Sequence, residues 1–442
     1  MAEAPARATP FVRTAMLPPE APPSTQVGPL HWLRENLFSG PLNIALTLLG
    51  GFAIWYLLQG ILPWLAHSVW EAGSLSQCRQ IIAERHGTGA GGACWAVIRE
   101  RWPQFLFGFY PNHLYARPVL AFVLLIPALA PVLYTTLPRR LLWLSAAFPF
   151  VAFWLLWGGT VFLPIAAALG FAAGALAWRL LHRFGAIIAV TGAVLAPVFW
   201  WLFVAGPLSD TLAAIAGRGL PFWLEPVRSD KFGGFVLAVT IGVSGIALSL
   251  PLGIMLALGR RSDMFLVKAL SVSFIEFIRG VPLITLLFTA SLLLNYFLPP
   301  GTTFDIILRV IIMVTLFAAA YIAEVIRGGL AALPRGQYEA ADALGLDYWK
   351  AQRMIVLPQA LKISIPGIVS TFIGMFKDTT LVVFVGLLDP LKGITDAVRA
   401  STSWKGIYWE PYIFVGLIFF AFNFAMSRYS MSLERRLKTD HR

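Results

Sequence analysis

The strongest constraint on this chain is a succession of apolar runs, each about 20 residues long, many of them followed by loops that carry arginine or lysine. A run of that length crosses the hydrocarbon core of a bilayer as a helix, with every backbone polar group satisfied inside the segment. Run length places about ten spans, near 42–65, 118–137, 140–158, 162–181, 186–206, 232–258, 280–298, 304–327, 364–388 and 411–429. The stretch 264–279 is apolar in parts and is expected to be a short helix leading into the next span. Only 13% of the residues are charged, against about 25% in soluble domains. The alternating pattern of a membrane barrel is missing. The expected fold class is therefore all-α, a polytopic transmembrane helical protein.

Orientation follows from the basic loops. Arg139-Arg140, His182-Arg183, Arg260-Arg261, the segment from Arg327 to Lys362 and the segment from Arg428 to Arg442 all fall on one side when the span count is even. That side is expected to be the cytoplasm, and both termini share it. The loop near 66–117 then faces outward, although it carries Arg79, Arg85, Arg99, Arg101 and Arg117. Long loops cross largely regardless of charge. In that placement Cys78 and Cys94 meet an oxidising compartment, and two readings stay open: a disulfide stapling the loop, or two unpaired thiols. Residues 1–29 are rich in Pro and Ala, with no apolar signal core, and read as a disordered cytoplasmic tail. The formal charge of +12 is accounted for by the cytoplasmic loops and anionic lipid. No basic stretch interleaved with aromatics calls for nucleic acid. The histidines, among them His67, His113 and His182, show no metal-ligand spacing.

The chain changes character near residue 231. The spans before it hold almost no interior charge. Those after it carry Glu276, Arg279, Glu324, Arg327, Lys377 and Asp378. Residues 30–231 are read as an N-terminal extension of about five spans, 232–430 as the working module, and 431–442 as a cytoplasmic tail. Between two spans of the working module lies a polar segment, 334–360. Pro334 and Gly336 break the preceding span, and Glu339 suits the first turn of a short helix. Ala340, Ala341 and Ala343 keep that helix slim, so that another surface can come close. Gly345 suits a left-handed cap, and Asp347 can cap a second helix that Pro358 ends. Leu344, Leu346, Tyr348 and Trp349 are the apolar anchors. Two short helices in water can dock a partner or lie on the lipid surface.

The motifs decide between these. Phe277-Ile278-Arg279-Gly280-Val281-Pro282-Leu283, Tyr321-Ile322-Ala323-Glu324-Val325-Ile326-Arg327-Gly328-Gly329, Gly336-Gln337-Tyr338-Glu339-Ala340-Ala341 and Lys377-Asp378-Thr379-Thr380-Leu381-Val382 together resemble the polar amino-acid uptake permeases of ABC importers. The longer N-terminal half, with Gly92-Ala93-Cys94-Trp95 and Trp154-Leu155-Leu156-Trp157-Gly158-Gly159, is similar to the larger permease subunit of the general L-amino-acid (Aap/Bzt-type) importers. Thr380 stands where Ser is commoner, which keeps the hydroxyl. The resemblance implies a type I ABC importer permease core in the C-terminal half of a non-catalytic subunit that passes L-amino acids across a bacterial inner membrane. It makes 334–360 the coupling loop, with Glu339, Ala340, Ala341, Gly345, Leu346 and Trp349 meeting the ATPase. It implies a second homologous permease subunit, a cytoplasmic ATPase dimer holding ATP and Mg, and a periplasmic amino-acid-binding protein. No cofactor is expected on this chain, which has no G-x-x-x-x-G-K-[ST] phosphate loop.

The charged residues in the spans are the candidate substrate path. Lys377 and Asp378, about a dozen residues into their span, are expected near the membrane midplane, with the Thr379 and Thr380 hydroxyls beside them. Such a pair offers a partner to both ends of a zwitterion, or it fixes an interface between permease subunits; both readings stay open. Glu324 and Arg327 share a helix face, and Glu324 is the better partner for a substrate ammonium. Glu276 and Arg279 have the same spacing and read as an inner-mouth pair, structural or gating. An ion-coupled secondary carrier is the competing function; it would not need the Glu339 loop and would usually show internal repeats.

Overall fold

The computed structural model describes residues 28–134, 136–216, 223–293, 296 and 304–438. The tail through residue 27 and residues 439–442 lie outside the described residues. Among the described residues, nine helices are long and apolar enough to cross a membrane, or ten if one bent pair counts as a span. The sequence reading of about ten spans agrees.

The chain divides into two compact units. The described part of the first, residues 28–69 and 79–93, holds α1 (Pro29–Asn36) and α2 (Pro41–Ala66). Pro41 opens α2, where a missing N–H costs nothing. The helix is apolar on every side and has no buried residue.

The second unit comprises residues 70–78 and 94–438, and α3 (Leu75–His86) runs from it into the first. Within the second unit Cys78 and Cys94 form a disulfide, with Cα atoms 6.1 Å apart and both side chains buried. The Leu75 N–H donates to the Ser403 carbonyl (2.8 Å), and the Cys94 N–H donates to Oε1 of the buried Glu410 (2.6 Å). Then α4 (Ala96–Phe107) leads to Gly108, where φ is 68° and a Cβ would come within 2.4 Å of the Gly233 Cα; only glycine fits. Helices α5 (Ala116–Leu133) and α6 (Leu142–Trp157) form a hairpin. α7 (Phe162–Leu181) packs on α8 (Ala186–Phe199), which passes through one wide turn into α9 (Ala205–Ala216). The indole N–H groups of Trp200 and Trp201 in that turn donate to the Ala166 and Ala167 carbonyls, both at 2.8 Å. The sequence reading ends this span at 206, but the helix continues to Ala216. Pro207 falls in the first turn of α9, where proline is tolerated. A short pairing of β1 (Gly159–Thr160) with β2 (Trp223–Leu224) closes this half.

The C-terminal half opens with α10 (Gly234–Arg260). α11 (Phe265–Gly280) and α12 (Leu283–Phe288) then meet at an angle of 103°. The break falls where the sequence reading joins the short helix 264–279 to the span that begins at 280. Pro282 forces Val281 into the extended region (φ −103°, ψ 131°), and the helix cannot carry through it. α13 (Ile306–Ala331) is the buried centre, packed by α10, α11 and α16. The short helices α14 (Gly336–Ala343) and α15 (Tyr348–Ala351) follow, then α16 (Leu357–Asp378), α17 (Gly393–Arg399) and α18 (Trp409–Lys438). Pro358 does not end the second loop helix: the chain stays helical from Tyr348 to Val385. A π turn over Gln352–Val356 puts Pro358 in the first turn of α16. The segment expected as a tail from 431 remains helical to Lys438, with no proline or glycine to stop it.

Candidate functional site

The side chains that α10, α11 and α13 bring together form one ionic cluster. The Glu324 carboxylate lies at its centre. Arg327, one turn on, grips Oε1 through Nη2 (2.5 Å) and Nε (2.9 Å). The Oε2 atom faces Nη1 of Arg260 and Nη1 of Arg279, each at 3.4 Å. Glu276 completes the group, 2.8 Å from Arg260 and 3.9 Å from Arg279. The Arg279 guanidinium also lies over the Tyr321 ring, 5.8 Å from its centroid. The two pairs read separately from spacing are therefore one cluster of three cations and two carboxylates, a formal charge of +1. Sequence reasoning missed Arg260, which ends α10 and reads as an ordinary cytoplasmic arginine. Its one signal was the neighbouring Arg261 in a pair at a span end.

The polar segment 334–360 leaves from the same end of α13. Arg261 donates to the Tyr338 hydroxyl (2.9 Å) and to the Leu330 carbonyl (3.3 Å), tying α14 to the ends of α10 and α13. Gln359 donates to Gln337 (2.9 Å). Gly345 adopts φ 66°, with its N–H on the Asp342 carbonyl (2.9 Å), the left-handed turn that joins α14 to α15. Asp347 caps α15 by accepting the Lys350 N–H at 3.0 Å. That hydrogen bond, with the Lys350 ammonium, holds the Asp347 carboxyl below the usual carboxylate range. Glu339 and Ala340 are exposed, and Leu346 is partly so. Leu344 and Trp349 are 73% and 70% exposed, unusual for such large apolar groups in water. Ala341, in contrast, is buried. It turns into the protein. Tyr338, on the same short helix, packs against a cluster of Ile326, Leu330, Val356 and Ala360 that is continuous with α13.

Lys377 and Asp378 end the α-helical part of α16, and the chain stays helical beyond them to Val385. The nearby Met375 packs with Val314 around Gly245, close to the middle of α10. The Thr379 hydroxyl donates to the Phe376 carbonyl (2.7 Å) and that of Thr380 to the Lys377 carbonyl (2.9 Å). The pair and the ionic cluster thus lie at different depths of the core. Arg309, also unmarked in the sequence reading, is buried and donates to the carbonyls of Ser291 (2.8 Å) and Phe304 (2.9 Å), holding the start of α13.

Comparison with known proteins gives the following. Residues 249–439 match the family model described as binding-protein-dependent transport system inner membrane component. The chain is 65% identical to the glutamate/glutamine/aspartate/asparagine transport system permease protein BztC of Rhodobacter capsulatus, over 98% of this chain and 99% of that one. It is 38% identical to the inner membrane amino-acid ABC transporter permease protein YhdY of Escherichia coli, over 92% of this chain and 93% of that one. Among solved structures, an amino acid ABC transporter crystallised with histidines is 29% identical over 46% of this chain and 91% of that chain, with a TM-score of 0.41.

Proposed function

This chain belongs to the amino-acid ABC transporter permeases, and from that premise we propose that it passes acidic amino acids and their amides through a path whose loop-side gate is the Glu324 cluster. As a member of that family it is a multi-pass, non-catalytic membrane subunit of an ATP-driven amino-acid importer. It acts in a transporter complex with ATPase and substrate-binding components. Family membership sets aside the ion-coupled carrier.

The observation that carries the finer reading is the position of the cluster, with Glu324 about two helical turns before the end of the helix that leads into the coupling loop. The ATPase dimer, carrying ATP and Mg, grips the loop at Glu339, Ala340, Leu344 and Trp349. Its closure moves α14 and α15. The packed cluster against Tyr338 passes that motion to α13, and Glu324 is drawn away from Arg260 and Arg279. Interfaces of this kind are bistable, so a small shift at the loop becomes a discrete opening. The excess of guanidinium over carboxylate favours a ligand with a side-chain carboxylate, and Glu324 can meet its ammonium. Lys377 and Asp378 lie further along the path, toward the side where a binding protein in the periplasm delivers the amino acid. A second homologous permease subunit closes the other wall of the path. In this arrangement the complex sits in the inner membrane, with both termini of this chain on the ATPase side.

The test is uptake by the complex reconstituted in vesicles with its partner permease, ATPase and binding protein. ATP-dependent accumulation of glutamate, glutamine, aspartate and asparagine, with lysine excluded, is expected. Uptake of lysine and none of the four, or transport by this chain alone on an ion gradient, contradicts it.

A further inference from the structure

A cavity of about 700 Å3 opens between the N-terminal helices α5 and α6 and the core helices α10, α13 and α18. Its floor is buried at Ala121, Leu125 and Ile307; its mouth is formed by the exposed apolar side chains of Val119, Phe122 and Leu308. Of the polar side chains on its wall, Asp305 and Thr240 are already engaged and the Ser244 hydroxyl is the other. The Asp305 carboxylate caps α13, accepting the N–H groups of Ile307 (2.9 Å) and Leu308 (3.2 Å) and the Ser229 hydroxyl. The Thr240 hydroxyl donates to the Val236 carbonyl of its own helix (2.7 Å). The wall carries no lysine or arginine, so an amino acid would find no cation for its carboxylate here, and the cavity is not part of the substrate path.

We propose that this cleft binds one acyl chain of a membrane phospholipid. Nearly all of its wall lies on membrane-spanning helices, so hydrocarbon is the medium at its mouth. It flanks the first two turns of α13, which places the chain in the leaflet remote from the coupling loop. The volume falls in the range of ligand pockets. A flexible chain about one methylene wide can follow such a cleft. The N-terminal spans are then joined to the core partly through bound lipid.

The experiment uses the intact complex in nanodiscs containing a phospholipid with a photoreactive group at mid-chain, followed by peptide mapping. Helix α2, which has no buried residue, reports contact with bulk lipid. Peptides of α5, α6 and α10 are expected to be labelled well above α2. Ala152→Phe fills the cleft from α6, and Ala247→Phe covers it from the exposed side of α10, where misfolding is not at issue. Each should lower cleft labelling about tenfold, since a phenyl ring displaces at least two methylenes of the chain, and leave α2 labelling unchanged. Three outcomes would overturn the proposal: cleft labelling no higher than on α2, labelling unaffected by both substitutions, or a photoreactive amino acid at position 152 that cross-links to another subunit instead of to lipid.

Discussion

Helices α2 and α13 are each 26 residues long and comparably apolar, yet α13 is buried over 56% of its most apolar stretch and α2 nowhere. Length and hydropathy therefore specify only that a segment crosses the membrane. Packing is decided by what interrupts the apolar run. α13 carries Gly329 against the Ala360 carbonyl, and Ile322 set against the place that Gly253 leaves free. It also carries Glu324 and Arg327 in the ionic cluster. In lipid, close approach of small residues and polar contacts between helices replace the hydrophobic drive of water. The glycines of α2 (Gly50, Gly51 and Gly60) have nothing within 4 Å of a would-be Cβ, and the helix holds no charge.

Paired substitutions can break this contrast. Ile322→Ala in α13 should cost about 2–5 kcal/mol of stability, and Leu48→Ala in α2 less than about 0.5 kcal/mol. Thermal unfolding of the detergent-solubilised complex reads both, and equal shifts would refute the difference. Gly329→Val puts a Cβ 2.5 Å from the Ala360 carbonyl oxygen and should cost about 1–3 kcal/mol, while Gly50→Val should be silent in the same assay. Glu324→Gln leaves three guanidinium groups without their shared carboxylate. Amino-acid uptake should fall roughly tenfold, about 1.4 kcal/mol, whereas Glu225→Gln, which loosens an exposed pair with His113 in the N-terminal half, should leave uptake within about twofold. Smallest, Gly345→Ala strains a residue at φ 66° by about 1 kcal/mol, read as weaker ATPase association in a pull-down titration.

The sequence made the permease half legible because its signals are local. Capping at Asp347, the left-handed Gly345 and the exposed Trp349 follow from neighbouring residues alone. What was hidden depends on distance along the chain. Arg260 reaches Glu324 across 64 residues, and Ala341 looks like a contact residue until its burial is seen. The start of α16 was hidden for a similar reason. Pro358 suggests a helix start near 364, but the π turn over Gln352–Val356 lets the helix begin earlier. Span number survived these errors because it depends only on apolar run length.

The central claim is that force enters through α14 and α15 and reaches the Glu324 cluster through α13. It is tested most directly by measuring ATP hydrolysis and amino-acid uptake together in the reconstituted complex carrying Glu339→Arg. The account predicts that uptake is lost and that substrate no longer stimulates hydrolysis, while the membrane subunits stay assembled. Uptake and stimulated hydrolysis at the unsubstituted rates would contradict it.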